Sequence, residues 1–340
     1  MGCDHQKIFL NNCIYIFIWG IYVPIDNQTQ TLLDQMNAPD TPALCELTVA
    51  DARAALKKMT LLMDVPETEV HIREERTIEV DGGEIPVRIF WPDPADAGNK
   101  PPLLILYHGG GFILGDLETH ENVARFYCRN AGVIVVNVDY RLAPEHKFPA
   151  GIEDCYAALC WTAAHADELG GDPQRLAVTG DSAGGNLSAV VCQLARQRGG
   201  PAIRYQVLVY PCVTMDVAAD YDSRKLYGNG DYFLSLKDME WIDGLYFNAP
   251  QVERTDLRAS PILTDDLSGL PQALIITAGH DPLRDEGQDY ARKLEDAGVP
   301  VEYKCYETTI HGFFSFAGAL DAGKDALAFV SSRMQSVLYR

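Results

Sequence analysis

Basic charge is what this chain has least of. It carries 28 lysines and arginines against 48 aspartates and glutamates, a formal charge of −20 at neutral pH, and the basic residues nowhere collect into a stripe. Phosphate contacts need clustered Lys and Arg, so nucleic acid is excluded as a partner, and anionic membrane surfaces are disfavoured on the same ground. The nine cysteines, Cys3, Cys13, Cys45, Cys128, Cys155, Cys160, Cys192, Cys212 and Cys305, form no C-x-x-C pair. That removes the usual zinc and dithiol motifs. Most lie in apolar surroundings, which points to small buried thiols in a reduced, cytoplasmic protein. Internal repeats and low-complexity tracts are absent too.

Long apolar runs are equally scarce. The one candidate is 8–23, rich in Ile, Tyr and Phe but interrupted by Asn11 and Asn12. Its unbroken part, 13–23, falls short of the roughly 17–25 residues that span a bilayer. No small-x-small cleavage site follows it, and Gln6 stands where a myristoylation signal wants Ser or Thr. Residues 1–23 are therefore expected to be an atypical extension, with the natural chain starting near Val23 and no stable membrane insertion.

What is present is 340 residues, 47% apolar and 22% charged, room for a large core. Helical text comes first, from Gln28 to Met36 and from Thr48 to Met63, parted by Asp40-Thr41-Pro42. The stretches 70–80 and 85–91 alternate apolar and polar around Asp81-Gly82-Gly83, a β-hairpin pattern. Short continuous apolar runs follow at 103–107, 133–138, 176–178, 205–210 and 273–277, with helical stretches such as 151–165 and 186–196 between most of them. That alternation predicts a mostly parallel sheet covered on both faces, with chemistry at the carboxyl ends of its strands. From Val213 to Pro261 the rhythm lapses into acidic and aromatic residues, an inserted helical flap.

After the 176–178 run comes Gly180-Asp181-Ser182-Ala183-Gly184-Gly185 and then a helix, which is G-x-S-x-G in its strand–turn–helix setting. Glycines flank the serine because a β-carbon there would clash with neighbouring backbone, and the helix N-terminus supports developing negative charge. After the 103–107 run comes His108-Gly109-Gly110-Gly111-Phe112. Three glycines let bare N–H groups converge on a tetrahedral oxyanion, a contact worth roughly 3 kcal/mol per donor where serine hydrolases have been studied. The N–H of Ala183 is the expected further donor. No Lys-Ser/Thr follows the glycines, so this is no phosphate loop, and His108 is expected to hold the loop.

A serine nucleophile needs a base, and the base needs an orienting carboxylate, in the chain order Ser, acid, His. His311, in Thr309-Ile310-His311-Gly312-Phe313, fits the base. His165 precedes the serine and reads as surface. Asp281, just past the 273–277 run, fits the acid. Asp285 is its rival, with capping of the helix that starts there as its other role. Asp139 ends a strand but precedes the serine, and reads as structural.

These segments, with Asp139-Tyr140-Arg141-Leu142-Ala143-Pro144-Glu145-His146 and Asp281-Pro282-Leu283-Arg284-Asp285, resemble the hormone-sensitive-lipase-like (GDXG, bacterial family IV) esterases. The likeness runs from about Pro24 to the end. It implies an α/β-hydrolase fold, with a mostly parallel central sheet, helices on both faces and a helical cap. The cap would be built from N-terminal helices at 24–65 and an insertion at about 213–260 of a catalytic domain spanning 66–340. The family's triad falls on Ser182, Asp281 and His311, and its oxyanion donors on Gly110, Gly111 and Ala183, with Gly109 alongside. The resemblance implies a carboxylesterase for short- to medium-chain esters, working through an acyl-enzyme without cofactor or metal. Phe112, Leu114, Tyr210, Leu283 and Phe313 are expected to line the substrate pocket. The flap aromatics Tyr221, Tyr227, Tyr232, Phe233, Trp241 and Tyr246 are expected to close it together, although singly most read as packing. A small-molecule ester is the expected partner, and a homodimer is the one protein partnership left open. Three other readings use the same fold: a lipase on longer chains, an amidase on the same triad, and a small-ligand receptor that has lost the catalytic histidine. The presence of His311 argues against the last.

Overall fold

The computed structural model describes residues 23–39, 41–94 and 100–340. The expected extension at 1–23, with Cys3 and Cys13, lies outside the described residues except for Val23. In chain order the strands are β1 (Ile72–Val80), β2 (Gly83–Trp91), β3 (Pro102–Tyr107), β4 (Ile134–Val138), β5 (Asp172–Asp181), β6 (Ile203–Val209), β7 (Gln272–His280) and β8 (Val301–Ile310). They form one sheet in the order β1-β2-β4-β3-β5-β6-β7-β8. β1 and β2 make the expected hairpin, with Ile72 opposite Trp91 and Val80 opposite Gly83. β2 also runs antiparallel to β4, and every later pairing is parallel.

Every residue of β3 and β4 is buried, which is why both read as unbroken apolar runs rather than as alternation. One core lies between the sheet and the helices Ala150–Ala164, Ala183–Arg198 and Arg284–Asp296. A second lies on the other face, under Glu121–Ala131 and Asp321–Leu338. At about 1.5–3 kcal/mol for each fully buried aliphatic side chain, these two layers hold the sheet rigid. Its strands β3, β5, β6, β7 and β8 end side by side, so the loops after them meet on one rim.

Over that rim lie α1 (Asn27–Met36) and α2 (Val49–Met63), together with α3 (Asp222–Tyr227) and α4 (Leu236–Tyr246) from the region where the strand rhythm lapses. Each long helix starts on a side-chain cap. Asp26 accepts from the Thr29 amide, Thr48 from the Asp51 amide, and Ser235 and Asp238 form a reciprocal capping box. α2 is fastened to the loops that follow β3 and β4. The Arg53 guanidinium donates to the carbonyls of Ile113 (2.8 Å) and Ala143 (3.0 Å), and Lys57 reaches Asp116 and Glu118. Among the described residues no helix is long and apolar enough to cross a membrane, and the seven described cysteines are all free thiols.

Candidate active site

The turn after β5 is set by its glycines. A β-carbon on Gly184 would lie 2.0 Å from the Tyr107 carbonyl oxygen, and one on Gly180 would lie 2.4 Å from the backbone of Gly184. The helix Ala183–Arg198 therefore starts hard against the end of β3, and Ser182 is left at φ 54°, ψ −116°. A non-glycine residue in that region is strained. Three backbone bonds hold it: the Ser182 amide donates to Val209 (2.8 Å), and its carbonyl accepts from Asn186 (3.0 Å) and Cys212 (3.3 Å).

The Ser182 hydroxyl lies 3.0 Å from Nε2 of His311. Nδ1 of the same ring lies 2.7 Å from Oδ2 of Asp281. Asp281 is fully buried, and its other oxygen accepts the Leu283 amide at 2.8 Å. A carboxylate that is ionised can only accept, which would put the proton on Nδ1 and turn the Nε2 lone pair toward the serine.

Above Ser182 is a cavity of about 130 Å³. The glycines Gly109, Gly110 and Gly111 and the residue Ala183 form its floor, and Leu56 and Thr60 of α2 and Trp241 and Ile242 of α4 form its upper walls. Ala183 is the first residue of its helix, so its N–H has no partner within that helix. The Gly110 carbonyl accepts the amides of Ile113 (3.2 Å) and Leu114 (2.8 Å), which closes the glycine loop into a tight turn.

The α/β-hydrolase-fold family matches this sequence over residues 104–315. The chain belongs to that family. Its place is the hormone-sensitive-lipase-like branch, as the motifs implied. The carboxylesterase NlhH of Mycobacterium tuberculosis is 48% identical over 282 residues, 81% of this chain and 85% of the relative. The carboxylic ester hydrolase LipN of the same organism is 45% identical over 82% of this chain and 74% of its own length. A hyperthermophilic esterase from the archaeon Pyrobaculum calidifontis superposes with a TM-score of 0.86 at 40% identity, covering 92% of this chain and 99% of that one.

In this α/β hydrolase three of the five expected pocket residues, Phe112, Leu114 and Leu283, line the cavity. Tyr210 and Phe313 do not. Both are fully buried in the core on the Glu121–Ala131 face of the sheet, with the Tyr210 ring 4.6 Å from that of His311 and Phe313 edge-on behind it at 5.6 Å. They support the histidine from behind. Of the six flap aromatics, Phe233 and Trp241 reach the cavity. Tyr246 stacks flat on Phe112 at 4.3 Å, Tyr227 packs against Tyr232 and His280, and Tyr221 lies under the Arg224 guanidinium.

Gly109 also departs from expectation. Its amide donates to Oδ1 of Asp181 at 3.0 Å, so it is spent on the loop and is not free for an oxyanion. Asp181 ends the neighbouring strand with its carboxylate tucked under Gly109, where a β-carbon would lie 2.4 Å from Oδ2. The same carboxylate meets Nε2 of His120 at 2.8 Å, and Thr119 Oγ1 lies 2.9 Å from the other nitrogen of that ring. Burial pushes the Asp181 carboxyl up, but the surrounding imidazoles, His120 foremost, bring it below its ordinary range. A second buried carboxylate–imidazole pair thus stands on the oxyanion side of the cavity. Nothing in chain order or spacing ties His120, in the loop before Glu121–Ala131, to the Gly180–Gly185 turn.

His108 stacks on Tyr140 at 4.3 Å, and burial lowers its imidazole to about 4, so it is neutral. Asp285 does not cap its own helix, whose N-cap residue is Leu283. It accepts the Ser223 amide at 2.8 Å and so caps α3 instead. Asp139 faces a different hollow, beside Arg141 and Lys57, where burial raises its carboxyl to about 6.

Proposed function

We propose that this enzyme cleaves short- to medium-chain carboxylic esters through an acyl-enzyme on Ser182, with His311 as base and Asp281 as the carboxylate that orients it. As a member of this family of esterases, the chain is a carboxylic ester hydrolase. The observation that carries the finer reading is the unbroken line from the Ser182 hydroxyl through both nitrogens of His311 to Asp281. His311 Nε2 takes the hydroxyl proton as Oγ bonds to the carbonyl carbon. The resulting oxyanion accepts hydrogen bonds from the amides of Gly110, Gly111 and Ala183. Collapse breaks the bond to the leaving alcohol, which receives the proton from His311. Water repeats the sequence to release the acid. The segments 24–65 and 213–260 act as the cap, and the free thiols favour a cytoplasmic setting.

The cavity sets an expectation for chain length. Each added methylene gains about 0.8 kcal/mol of burial until the space of about 130 Å³ is full. The next must displace packed side chains, at roughly 1–3 kcal/mol. With soluble esters below their micelle limit, kcat/KM should rise from acetyl, peak at about four to eight carbons and then fall steeply; the peak position comes from the family resemblance and the shape from burial against overpacking. A preference that climbs on to palmitoyl esters, with activation at an oil–water interface, would replace this reading by a lipase.

The Asp181–His120 pair sets another. Asp181→Ala takes the shorter of two acceptors from the Gly109 amide, leaving only Nε2 of His120 at 3.4 Å, and a buried donor left badly paired costs about 1–3 kcal/mol. If that loosens the oxyanion turn, kcat should drop about ten- to a hundredfold with a smaller change in KM. Asp181→Asn keeps an acceptor oxygen and should recover much of the loss. Equal losses in both variants would point to the charge and not to the hydrogen bond.

A further inference from the structure

The flap presents one ring to the cavity from a backbone position that a bulky residue rarely occupies. Phe233 has φ +75°, and the Leu234 amide donates to the Tyr232 carbonyl at 3.1 Å. An i to i+2 hydrogen bond across a residue with φ near +75° is the rare, strained form of the γ-turn. A β-carbon makes this conformation costly, and glycine would adopt it freely. Strain of this kind survives only where the surroundings over-determine it, and it gathers at ligand clamps. Here the turn is pinned from both sides. Asn37, at the end of α1, donates to the Asp231 carbonyl at 2.9 Å, the Leu236 amide donates to Gly228 at 2.9 Å, and the Ser235–Asp238 box locks the helix that follows.

The place of the ring is specific. A β-carbon on Gly312 would lie 3.1 Å from Cε1 of Phe233 and 2.9 Å from Cε2 of Phe316, so Phe233 covers the backbone immediately after His311. The Phe316 ring, fully buried, meets it edge-on at 5.4 Å and prevents its retreat. In ester cleavage by the proposed triad, the leaving oxygen must come within hydrogen-bond reach of His311 Nε2 to be protonated, while the carbonyl oxygen turns the other way, to Gly110, Gly111 and Ala183. Whatever the leaving oxygen carries is therefore pressed toward the wall beside His311.

We propose that Phe233, held in its strained turn, sets the size limit on the alcohol portion of the ester, independently of the acyl chain. This rests on the proposed triad chemistry. A pocket that loses or gains one wall discriminates by about 10–200-fold per displaced methylene-sized group.

The test compares kcat/KM for ethyl and benzyl acetate in the wild type, Phe233→Ala and Phe233→Trp, with ethyl esters from acetate to octanoate as the acyl series. The benzyl-to-ethyl ratio should rise about tenfold or more in Phe233→Ala and fall in Phe233→Trp, while the optimum acyl length stays where it is. Phe233→Leu serves as the smaller variant if the alanine protein does not fold. Phe233→Gly, free of the backbone strain, should melt no lower than Phe233→Ala. A ratio that moves less than twofold in both directions, or an acyl optimum that shifts in its place, overturns the proposal. Ser182→Ala is run on the same esters as a blank. Turnover surviving in that blank removes the triad reading itself, whereas a dead blank with an unmoved ratio removes only the role of Phe233.

Discussion

Ser182→Ala and His311→Ala should each abolish ester turnover almost completely, with a loss on the order of 10⁶-fold in kcat, in proteins that melt close to the wild-type temperature. The hydroxyl makes no bond that holds the turn together. The strained backbone of Ser182 is fixed by Val209, Asn186 and Cys212 through main-chain atoms, and all three bonds survive truncation to alanine. Removing the His311 ring opens a gap against Tyr210 and leaves Asp281 with the Leu283 amide, a modest structural change. The chemical loss is the same in both cases, because a serine without a base and a base without a serine are equally idle. The double variant should therefore be little worse than either single one, the mark of groups that act as a unit. What remains, about 10³–10⁴ over water, would belong to the oxyanion amides and to binding. Single-turnover kinetics with a chromogenic acetate, beside thermal unfolding of each variant, decides it. Near-wild-type kcat in either folded protein would sink the assignment.

The parts of this site that could be read from the sequence are those whose meaning is local. Gly180, Ser182 and Gly184 make a turn that leaves no room for a β-carbon at either glycine, and such a turn leaves its signature in adjacent letters. His311 follows from chain order once the serine is placed, and the same order narrows the acid to Asp281 or Asp285, between which the family resemblance chooses Asp281. The strands β3 and β4 are buried on both faces, so their apolar runs reveal them directly. What could not be read depends on neighbours across the sheet. β3 and β5 are adjacent in space but far apart in the chain, and only that adjacency lets Asp181 take the Gly109 amide and meet His120. Tyr210 and Phe313 follow strand ends as Leu283 does, yet a residue just past a strand turns to one face of the sheet or the other. These two turn into the core behind His311, and no periodicity extends into the loop to say so. The flap aromatics divide for the same reason. Their composition marks the segment, but only its path over the rim selects Phe233 and Trp241 for the cavity.

The two aspartates near the end of β7 should separate cleanly. Asp281→Asn should lose about 10⁴-fold in kcat, and the surroundings of Asp281 say why the amide is a poor substitute. The carboxylate accepts on both sides, from His311 Nδ1 at 2.7 Å and from the Leu283 amide at 2.8 Å. An asparagine there has one oxygen to offer. The Leu283 N–H is a fixed donor with no other tautomer, so it claims that oxygen, and the NH₂ group then faces His311. Nδ1 must now accept and Nε2 must carry the proton, which is the wrong tautomer for taking a proton from Ser182. KM should change little, since Asp281 lies behind the histidine and outside the cavity lining. Asp285→Asn should behave differently. Its oxygens take the Ser223 amide and the Arg284 guanidinium, so the change weakens the cap on α3, at a cost of about 1 kcal/mol of stability, and leaves kcat within a small factor of wild type. Steady-state kinetics and thermal melts on both variants are enough. If Asp285→Asn loses the activity and Asp281→Asn only the stability, the two carboxylates exchange roles, and the hydrogen bond from His311 to Asp281 is not the one that works during turnover.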